Sequence, residues 1–144
     1  MNWDDPMMGD IELAATRIPA SGDRQGSLFT NPGGPGASGY DFVYNSGEDS
    51  FSSDLRSAFD IVGWDPRGVG RSSAVECYDD SGMDEYFYGV PEKMPKTDDE
   101  KIAHAEEQAK TFADACKENT GELLNYVDTM STVHDLDLLR AVVG

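Results

Sequence analysis

The stretch that decides the fold is Ser27–Val43, SLFTNPGGPGASGYDFV. Its first four residues, SLFT, form a short apolar run that predicts a buried strand. The next nine residues, Asn31–Gly39, contain four glycines and two prolines, which is the composition of a loop. A backbone with so few side chains serves either as a tight surface turn or as a place where another group approaches the main chain closely.

The segments on either side of this stretch predict further strands and helices. Ile11–Ala20 predicts an early strand, Ser38–Ala58 a broken helix, and Phe59–Asp65, FDIVGWD, a strand with Ile61 and Val62 buried. A second glycine-rich loop, PRGVG, follows that strand. This order predicts an α/β sheet with flanking helices, in which both glycine loops lie at the carboxyl ends of strands.

Between Glu76 and Met130 the sequence becomes acidic and helical in character. Thr97 followed by Glu100 forms a capping-box pattern, and Gly121 stands where a helix stop belongs. One face of this predicted helix carries Ile102, Ala105, Ala109, Phe112 and Cys116. We therefore expect a long helix with Cys116 directed toward the core or a partner.

The last predicted element is a helix over residues 131–144, STVHDLDLLRAVVG. Residues recur on one face of it at helical spacing: Val133, Leu136, Leu139, Arg140 and Val143. Gly144 stands at the position of a helix stop.

Composition restricts the class of protein and its partners. The chain has 144 residues, about the size of one domain, and a formal net charge of −17, which repels nucleic acid and anionic membranes. It contains no run of about 18 apolar residues and no recognisable signal peptide. The acidic stretch DSGMDEYF, residues 80–87, lacks the EF-hand pattern, so we expect no metal site there.

Two cysteines, Cys77 and Cys116, do not form a CxxC motif, so a structural zinc site has no support. From the residues alone, a pair of free buried thiols and a disulfide both remain open. A catalytic cysteine is disfavoured because no histidine can be argued to orient it.

The first glycine loop has three chemical interpretations besides a plain turn. A Walker A loop is excluded because no lysine follows it, and a GxGxxG match from Gly34 to Gly39 is weak because Pro35 removes a backbone donor. The third interpretation is an oxyanion hole. A glycine N–H can approach a developing oxyanion because no Cβ intervenes.

Four segments occur in the order WDDP, LFTNPGGPGASGYDFV, FDIVGWDPRGVGRSS and DLDLLRAVVG. Together they resemble the N-terminal half of an actinobacterial α/β-hydrolase of the tripeptidyl aminopeptidase type, related to proline iminopeptidases. The resemblance implies an α/β fold over residues 1–144, namely the N-terminal part of an α/β-hydrolase fold with a mixed sheet and flanking helices, incomplete in this chain. It also implies a helical excursion at about residues 76–130.

The resemblance assigns roles to residues of both loops. It implies that the backbone N–H of Gly34 belongs to an oxyanion hole and that Gly33 shapes the loop. It implies a structural turn at Asp65, Arg67 and Gly68. No cofactor and no metal are implied.

The resemblance also implies a Cys77–Cys116 disulfide, because similar secreted members carry a cysteine pair in the helical excursion. We therefore expect a secreted or cell-envelope protein, although the chain carries no signal peptide.

A catalytic triad of this fold needs a serine in a GxSxG elbow, followed along the chain by an acid and a histidine. Neither Ser38 nor Ser72 fits the elbow, and we expect them to be structural or helix-capping residues. His104 is expected to be solvated, and His134 lies too early in the chain for a triad histidine.

We therefore expect no nucleophile or base in this chain, and expect the triad in an absent C-terminal half. The chain alone is then inactive, and an exposed sheet edge should bind that half or a second copy. The function implied is that of a serine exopeptidase acting on peptide N-termini. An esterase or amide hydrolase of the same fold and a non-catalytic binding or assembly module remain alternatives.

Overall fold

The computed structural model describes residues 2–91 and 93–144, which form two compact units. One unit contains the residues up to Ala74 together with Asn125–Gly144, and the other is Val75–Leu124. The second unit begins within one residue of the helical excursion predicted at about 76–130. The chain rejoins the first unit at Asn125, somewhat earlier than predicted.

The first unit is built on a mixed three-stranded sheet. Its strands are β1 (Ala15–Ile18), β2 (Gly26–Thr30) and β3 (Phe59–Trp64), in the order β1-β3-β2. β1 is antiparallel to β3, whereas β2 is parallel to it, with Thr30 beside Gly63. All three predicted strands are therefore present, β1 shorter than predicted, and the carboxyl ends of β2 and β3 lie at the same edge of the sheet.

Two helices connect β2 to β3, as the predicted broken helix required. They are α1 (Gly39–Ser50) and α2 (Ser53–Ala58). Each begins at a serine N-cap, Ser38 or Ser52, whose side chain accepts a hydrogen bond from a backbone N–H of the first turn. Phe51 adopts an extended conformation between the two helices. α1 therefore ends before it, and α2 follows as a separate helix.

The core of the first unit lies between β3 and α1. Ile61, Val62 and Val43 are fully buried, and the burial predicted for Ile61 and Val62 is confirmed. α1 approaches β3 closely because both contribute a glycine at the crossing. A Cβ on Gly63 would lie 2.2 Å from the carbonyl oxygen of Gly39.

The second unit packs two helices, α3 (Asp80–Tyr88) and α4 (Asp98–Thr120). The predicted capping box at Thr97 and Glu100 is present, and α4 ends at Gly121 as predicted. A disulfide with an S–S distance of 2.03 Å joins Cys77 to Cys116, the pairing that the resemblance implied.

The apolar face predicted for α4 is covered over only part of its length. Phe112 packs against Tyr78 and Tyr86, and Cys116 is buried at the disulfide. Ile102, about one turn after the start of the helix, lies on the same predicted face but is 59% exposed. The predicted contact of Cys116 with a core is confirmed, whereas Ala105 and Ala109 are exposed, because the aromatic partners contact the helix only nearer its end.

The chain's final helix, α5 (Thr129–Val143), ends at Gly144 as predicted. Its predicted apolar face is incomplete, because Val133 is 50% exposed while Leu136 and Leu139 are half-buried. The one buried side chain of this helix is Asp135. α5 is thus anchored by a polar contact rather than by an apolar stripe.

Among the described residues, no helix is both long enough and apolar enough to cross a bilayer.

The close crossing of α1 and β3 yields a prediction. We expect Gly63→Ala to lower the free energy of unfolding by about 1–3 kcal/mol, because its methyl group would overlap the backbone of α1. Urea denaturation measures the change. Gly26→Ala is the matched control, since its Cβ meets only the Phe59 ring at 4.0 Å. Equal loss of stability in both variants would contradict the packing argument.

Candidate active site

A cleft of about 650 Å³ opens at the sheet edge where β2 and β3 end. The first glycine loop forms one side of it, and the residues after β3 and the first turns of α5 form the others. The side chains that line it are mainly apolar, among them Phe29, Trp64, Pro66, Val69, Val127 and Leu136. The two glycine loops thus meet at one cleft, as the strand order predicted.

The first glycine loop adopts a conformation that only glycine accepts readily at three positions. The φ angles of Gly33, Gly34 and Gly36 are 89°, 134° and 89°. The side-chain oxygen of Asn31 accepts a hydrogen bond of 2.8 Å from the N–H of Gly33, which fixes the start of the turn.

Gly34 has a steric requirement in addition to its φ angle. A Cβ there would lie 2.7 Å from the backbone nitrogen of Gly36 and 2.9 Å from that of Ala37. The loop folds back on itself at this residue, so a side chain would force the backbone amides apart. Gly34 lines the cleft, and glycine is required there by the loop itself.

A single buried carboxylate joins the two loops. One oxygen of Asp65 accepts hydrogen bonds from Ser38 Oγ at 2.6 Å and from the N–H of Tyr40 at 3.0 Å. The other oxygen accepts from the N–H of Arg71 at 2.8 Å. Asp65 therefore connects the end of the first loop and the start of α1 to the loop that follows β3.

The protonation of Asp65 reflects these contacts. Burial by itself raises the pKa of this carboxyl group. The hydrogen bonds from Ser38 and from the N–H groups of Arg71 and Tyr40, together with the positive charge of Arg71, outweigh burial and hold the pKa below its usual range. Asp65 is thus a carboxylate acceptor rather than a proton donor at neutral pH.

The loop after β3 closes tightly around the same residue. A Cβ on Gly70 would lie 2.4 Å from an Asp65 carboxylate oxygen, and Gly68, at φ 83°, donates its N–H to the carbonyl of Ser73 at 2.8 Å. Ser72 Oγ donates to the Asp65 carbonyl at 2.5 Å and accepts from the N–H of Ala14 at 2.9 Å.

The two serines tested as nucleophiles both make structural contacts. Ser38 caps α1 and binds Asp65, while Ser72 is buried and connects the loop to the segment before β1. The predicted structural and capping roles of Ser38 and Ser72 agree with these contacts.

Arg67 forms a buried ion pair across the first unit. Its Nε and one terminal nitrogen donate to the two oxygens of Asp135 at 2.7 and 2.6 Å, and both side chains are at most 3% exposed. The other terminal nitrogen donates to the Tyr126 carbonyl at 2.9 Å, and Trp3 Nε1 donates to Asp135 at 3.1 Å. This pair fastens α5 to the loop after β3, so two sides of the cleft are connected behind it.

The sequence reasoning named Arg67 but missed Asp135. The available signal was its place in the final helix, four residues before Leu139 and at the border of the face predicted to be apolar. A carboxylate on such a face needs a buried partner. That partner lies 68 positions earlier in the chain.

Neither histidine lines the cleft. His134 is exposed and lies beside Trp3, with ring centroids 5.4 Å apart. His104 lies in the second unit and is half-buried, so the expectation of a solvated residue is only partly met. Within residues 2–91 and 93–144, no group of three or more His, Cys, Asp or Glu side chains is arranged to hold a metal ion.

Comparison with known proteins finds relatives over nearly the whole chain, although no protein-family model matches it. The chain is 36% identical to a tripeptidyl aminopeptidase of Streptomyces lividans, with 100% of the chain and 27% of that protein covered. It is 38% identical to serine protease Hip1 of Mycobacterium tuberculosis, with 94% and 26% covered. It is 35% identical to carboxylesterase B of the same species, with 97% and 27% covered.

These relatives confirm the resemblance predicted from the sequence motifs. The chain spans about a quarter of the length of the relatives that it matches. Their names agree on hydrolytic chemistry but differ between peptide and ester substrates.

The carboxylates of the first unit yield a prediction about pH. The pKa of Asp60 is also lowered, first by the N–H of Ala20 and then by Arg24, so both Asp60 and Asp65 have folded-state pKa values below those of the unfolded chain. Their contribution to stability is therefore complete above the unfolded pKa of about 3.9 and is lost as the pH falls through the folded values. We expect the free energy of unfolding in urea to fall steeply below about pH 4.

Asp60→Asn should make the loss of stability below about pH 4 less steep, whereas Asp84→Asn on the exposed surface of α3 should leave it unchanged. The same loss of stability with falling pH in the parent chain and both variants would contradict the role given to Asp60.

The buried ion pair yields a second prediction. Arg67→Met alone should destabilise the chain by about 3–5 kcal/mol, because it leaves the Asp135 carboxylate buried without its cation. Arg67→Met combined with Asp135→Leu should cost clearly less, because neither charge then remains buried. Urea denaturation of both variants provides the comparison. A double variant at least as unstable as the single one would show that the pair is not the source of the loss.

Proposed function

We propose that this chain, a relative of actinobacterial serine peptidases and esterases, supplies the oxyanion-hole loop of a serine hydrolase with the α/β-hydrolase fold. The observation that carries the proposal is the loop Asn31–Ala37. It follows a parallel strand, lines the cleft and requires glycine at Gly34 for steric reasons.

The proposed role follows from the chemistry of acyl transfer. Attack of a serine on a carbonyl carbon places negative charge on the carbonyl oxygen, and a pre-oriented backbone N–H stabilises that charge. In this proposal the N–H of Gly34 is one donor. The Asn31 turn at one end and the Asp65–Ser38 contact at the other hold the loop, so little reorganisation is needed when the charge develops.

The nucleophile, its base and the second oxyanion donor are proposed to come from the remainder of the hydrolase. In the order of the fold, the serine elbow and the rest of the triad lie C-terminal to the oxyanion loop. An acyl-enzyme would form on that serine and then be hydrolysed. The 144 residues alone are therefore proposed to be inactive.

The outer edge of β2 is the proposed place where the remaining sheet joins. In the described part of the chain β2 pairs only with β3. Arg24 and Ser27 donate to the carbonyl oxygen of Gly144 at 2.5 and 3.1 Å, so α5 ends beside the first residues of β2. A strand following α5 would start alongside this edge.

The proposed substrates are peptides with a free N-terminus, cleaved by an exopeptidase. Two relatives are named as a tripeptidyl aminopeptidase and a serine protease, which supports this class. The carboxylesterase name of another relative keeps ester hydrolysis as the alternative. The same oxyanion loop would serve peptide and ester hydrolysis, so residues outside the loop would determine which substrate is cleaved.

We also propose that the protein works in an oxidising compartment, either secreted or at the cell envelope. The Cys77–Cys116 disulfide supports this location, because such bonds persist where thiols are not kept reduced.

A chimera tests the proposed role. This chain replaces the matched segment of the Streptomyces lividans tripeptidyl aminopeptidase, and fluorophosphonate labelling and tripeptide release are measured. We expect an active chimera, and we expect Gly34→Ala to lower kcat by about 10²–10³ while the protein remains folded. Ala37→Ser, in the same loop, is the matched control and should retain activity.

The outcomes separate the alternatives. Unchanged turnover in the Gly34→Ala chimera would contradict the oxyanion role. A folded chimera that neither labels nor hydrolyses would favour the non-catalytic module, and labelling of the 144-residue chain alone would show that it contains a nucleophile. Parallel assays with a peptide amide and a short-chain ester distinguish the exopeptidase from the esterase.

A further inference from the structure

We propose that the groove between α3 and α4 in the second unit binds an arginine side chain of a peptide or protein. This inference goes beyond the proposed hydrolase function and does not depend on it. It rests on the shape of the groove, the side chains along it and the charge of the unit that contains it.

The groove is formed by matching faces of the two helices. α3 and its C-cap contribute Gly82, Glu85, Tyr86 and Gly89, and α4 contributes His104, Glu107, Gln108 and Thr111. The three residues of α3 and the four of α4 follow helical spacing, which places each set on one helix face. The space between them is about 450 Å³, enough for a long side chain and part of a backbone.

Two tyrosines, Tyr78 and Tyr86, line the groove. They belong to an aromatic cluster in which the rings of Tyr86 and Phe112 stack at 4.6 Å between centroids, and Tyr78 packs against both of them at 6.2 and 5.7 Å. Both tyrosines are half-buried, so part of each ring is accessible from the groove. Accessible aromatic rings attract a cation and favour a planar guanidinium in particular.

Two carboxylates line the same groove as the tyrosine rings. Glu85 and Glu107 line the groove from opposite helices and are exposed. The lysines of α4 that form ion pairs in the described residues do so with Asp98 and Asp114 instead. Glu85 and Glu107 form no ion pair within residues 2–91 and 93–144, so their charge is available to an outside cation.

The overall charge selects the kind of occupant. Residues 75–124 contain 14 Asp and Glu against 5 Lys, so the unit is strongly negative. The same acidic unit of a second copy would be repelled from this groove, and so would nucleic acid or an anionic lipid surface. A cation is therefore the favoured occupant. Arginine fits best, because its guanidinium both stacks on rings and donates two parallel hydrogen bonds to a carboxylate.

The test uses the disulfide-bonded chain and the blocked peptide acetyl-Gly-Arg-Gly-amide at about 150 mM salt, where non-specific attraction is screened. Amide resonances in NMR spectra are followed as the peptide is added. We expect shifts concentrated at the groove residues of α3 and α4. The same peptide with citrulline, which is uncharged and of similar shape, should produce none, and the lysine peptide should bind more weakly.

Charge-matched variants complete the test. Glu85→Gln with Glu107→Gln should weaken binding of the arginine peptide about tenfold or more, because both charged acceptors are lost. Glu106→Gln with Glu118→Gln removes the same charge from α4 outside the groove and should change affinity less than about twofold. Equal weakening in the two double variants would overturn the proposal. So would shifts spread over the acidic surface, equal binding of the citrulline peptide, lysine binding as tight as arginine, or no binding at millimolar peptide.

Discussion

The structure of the first unit depends on one buried carboxylate. Asp65 follows the last residue of the central strand, and its two oxygens accept hydrogen bonds from opposite sides. Through Ser38 and Tyr40 it fixes where the first glycine loop ends and α1 begins, and through Arg71 it fixes the second loop. Both loops border the same cleft, so their relative position is determined by the residue between them. The position of Asp65 also requires glycine at residue 70, because a side chain there would occupy the space of the carboxylate.

Positive charges have different uses in the two units. All six arginines lie in the first unit and all five lysines in the second. In the first unit Arg67 is buried against Asp135, while Arg24 binds the buried Asp60. Arginine suits such sites, because its planar group satisfies several acceptors at fixed geometry. The lysines of the second unit make exposed contacts within one helix, which contribute little to stability. That unit relies instead on its disulfide and its aromatic cluster.

How well the sequence predicted each feature depends on how far apart in the chain the interacting residues lie. Strands and the capping box at Thr97 were predictable, because the residues that define them are neighbours in the chain. Burial of Asp135 was not, because its partner is 68 positions away and periodicity carries no information about pairing. The exposure of Ile102 could not be predicted for a related reason: helical spacing indicates which side chains share a face, but not whether another element covers that face. The two loops were expected at one edge of the sheet, yet the carboxylate of Asp65 that joins them could be recognised only from its contacts. The oxyanion role of Gly34 stays a prediction.

The measurement that tests this account most directly is a pH titration of the folded chain by NMR, following the backbone amide protons of Tyr40 and Arg71. Both amides donate to Asp65, from different loops. If that carboxylate holds both loops, the two resonances titrate with one common midpoint, below the usual pKa of an aspartate, while the amide of Val62 in β3 keeps its folded-state position. Separate midpoints for Tyr40 and Arg71, or a common midpoint at or above the usual value, would contradict the account.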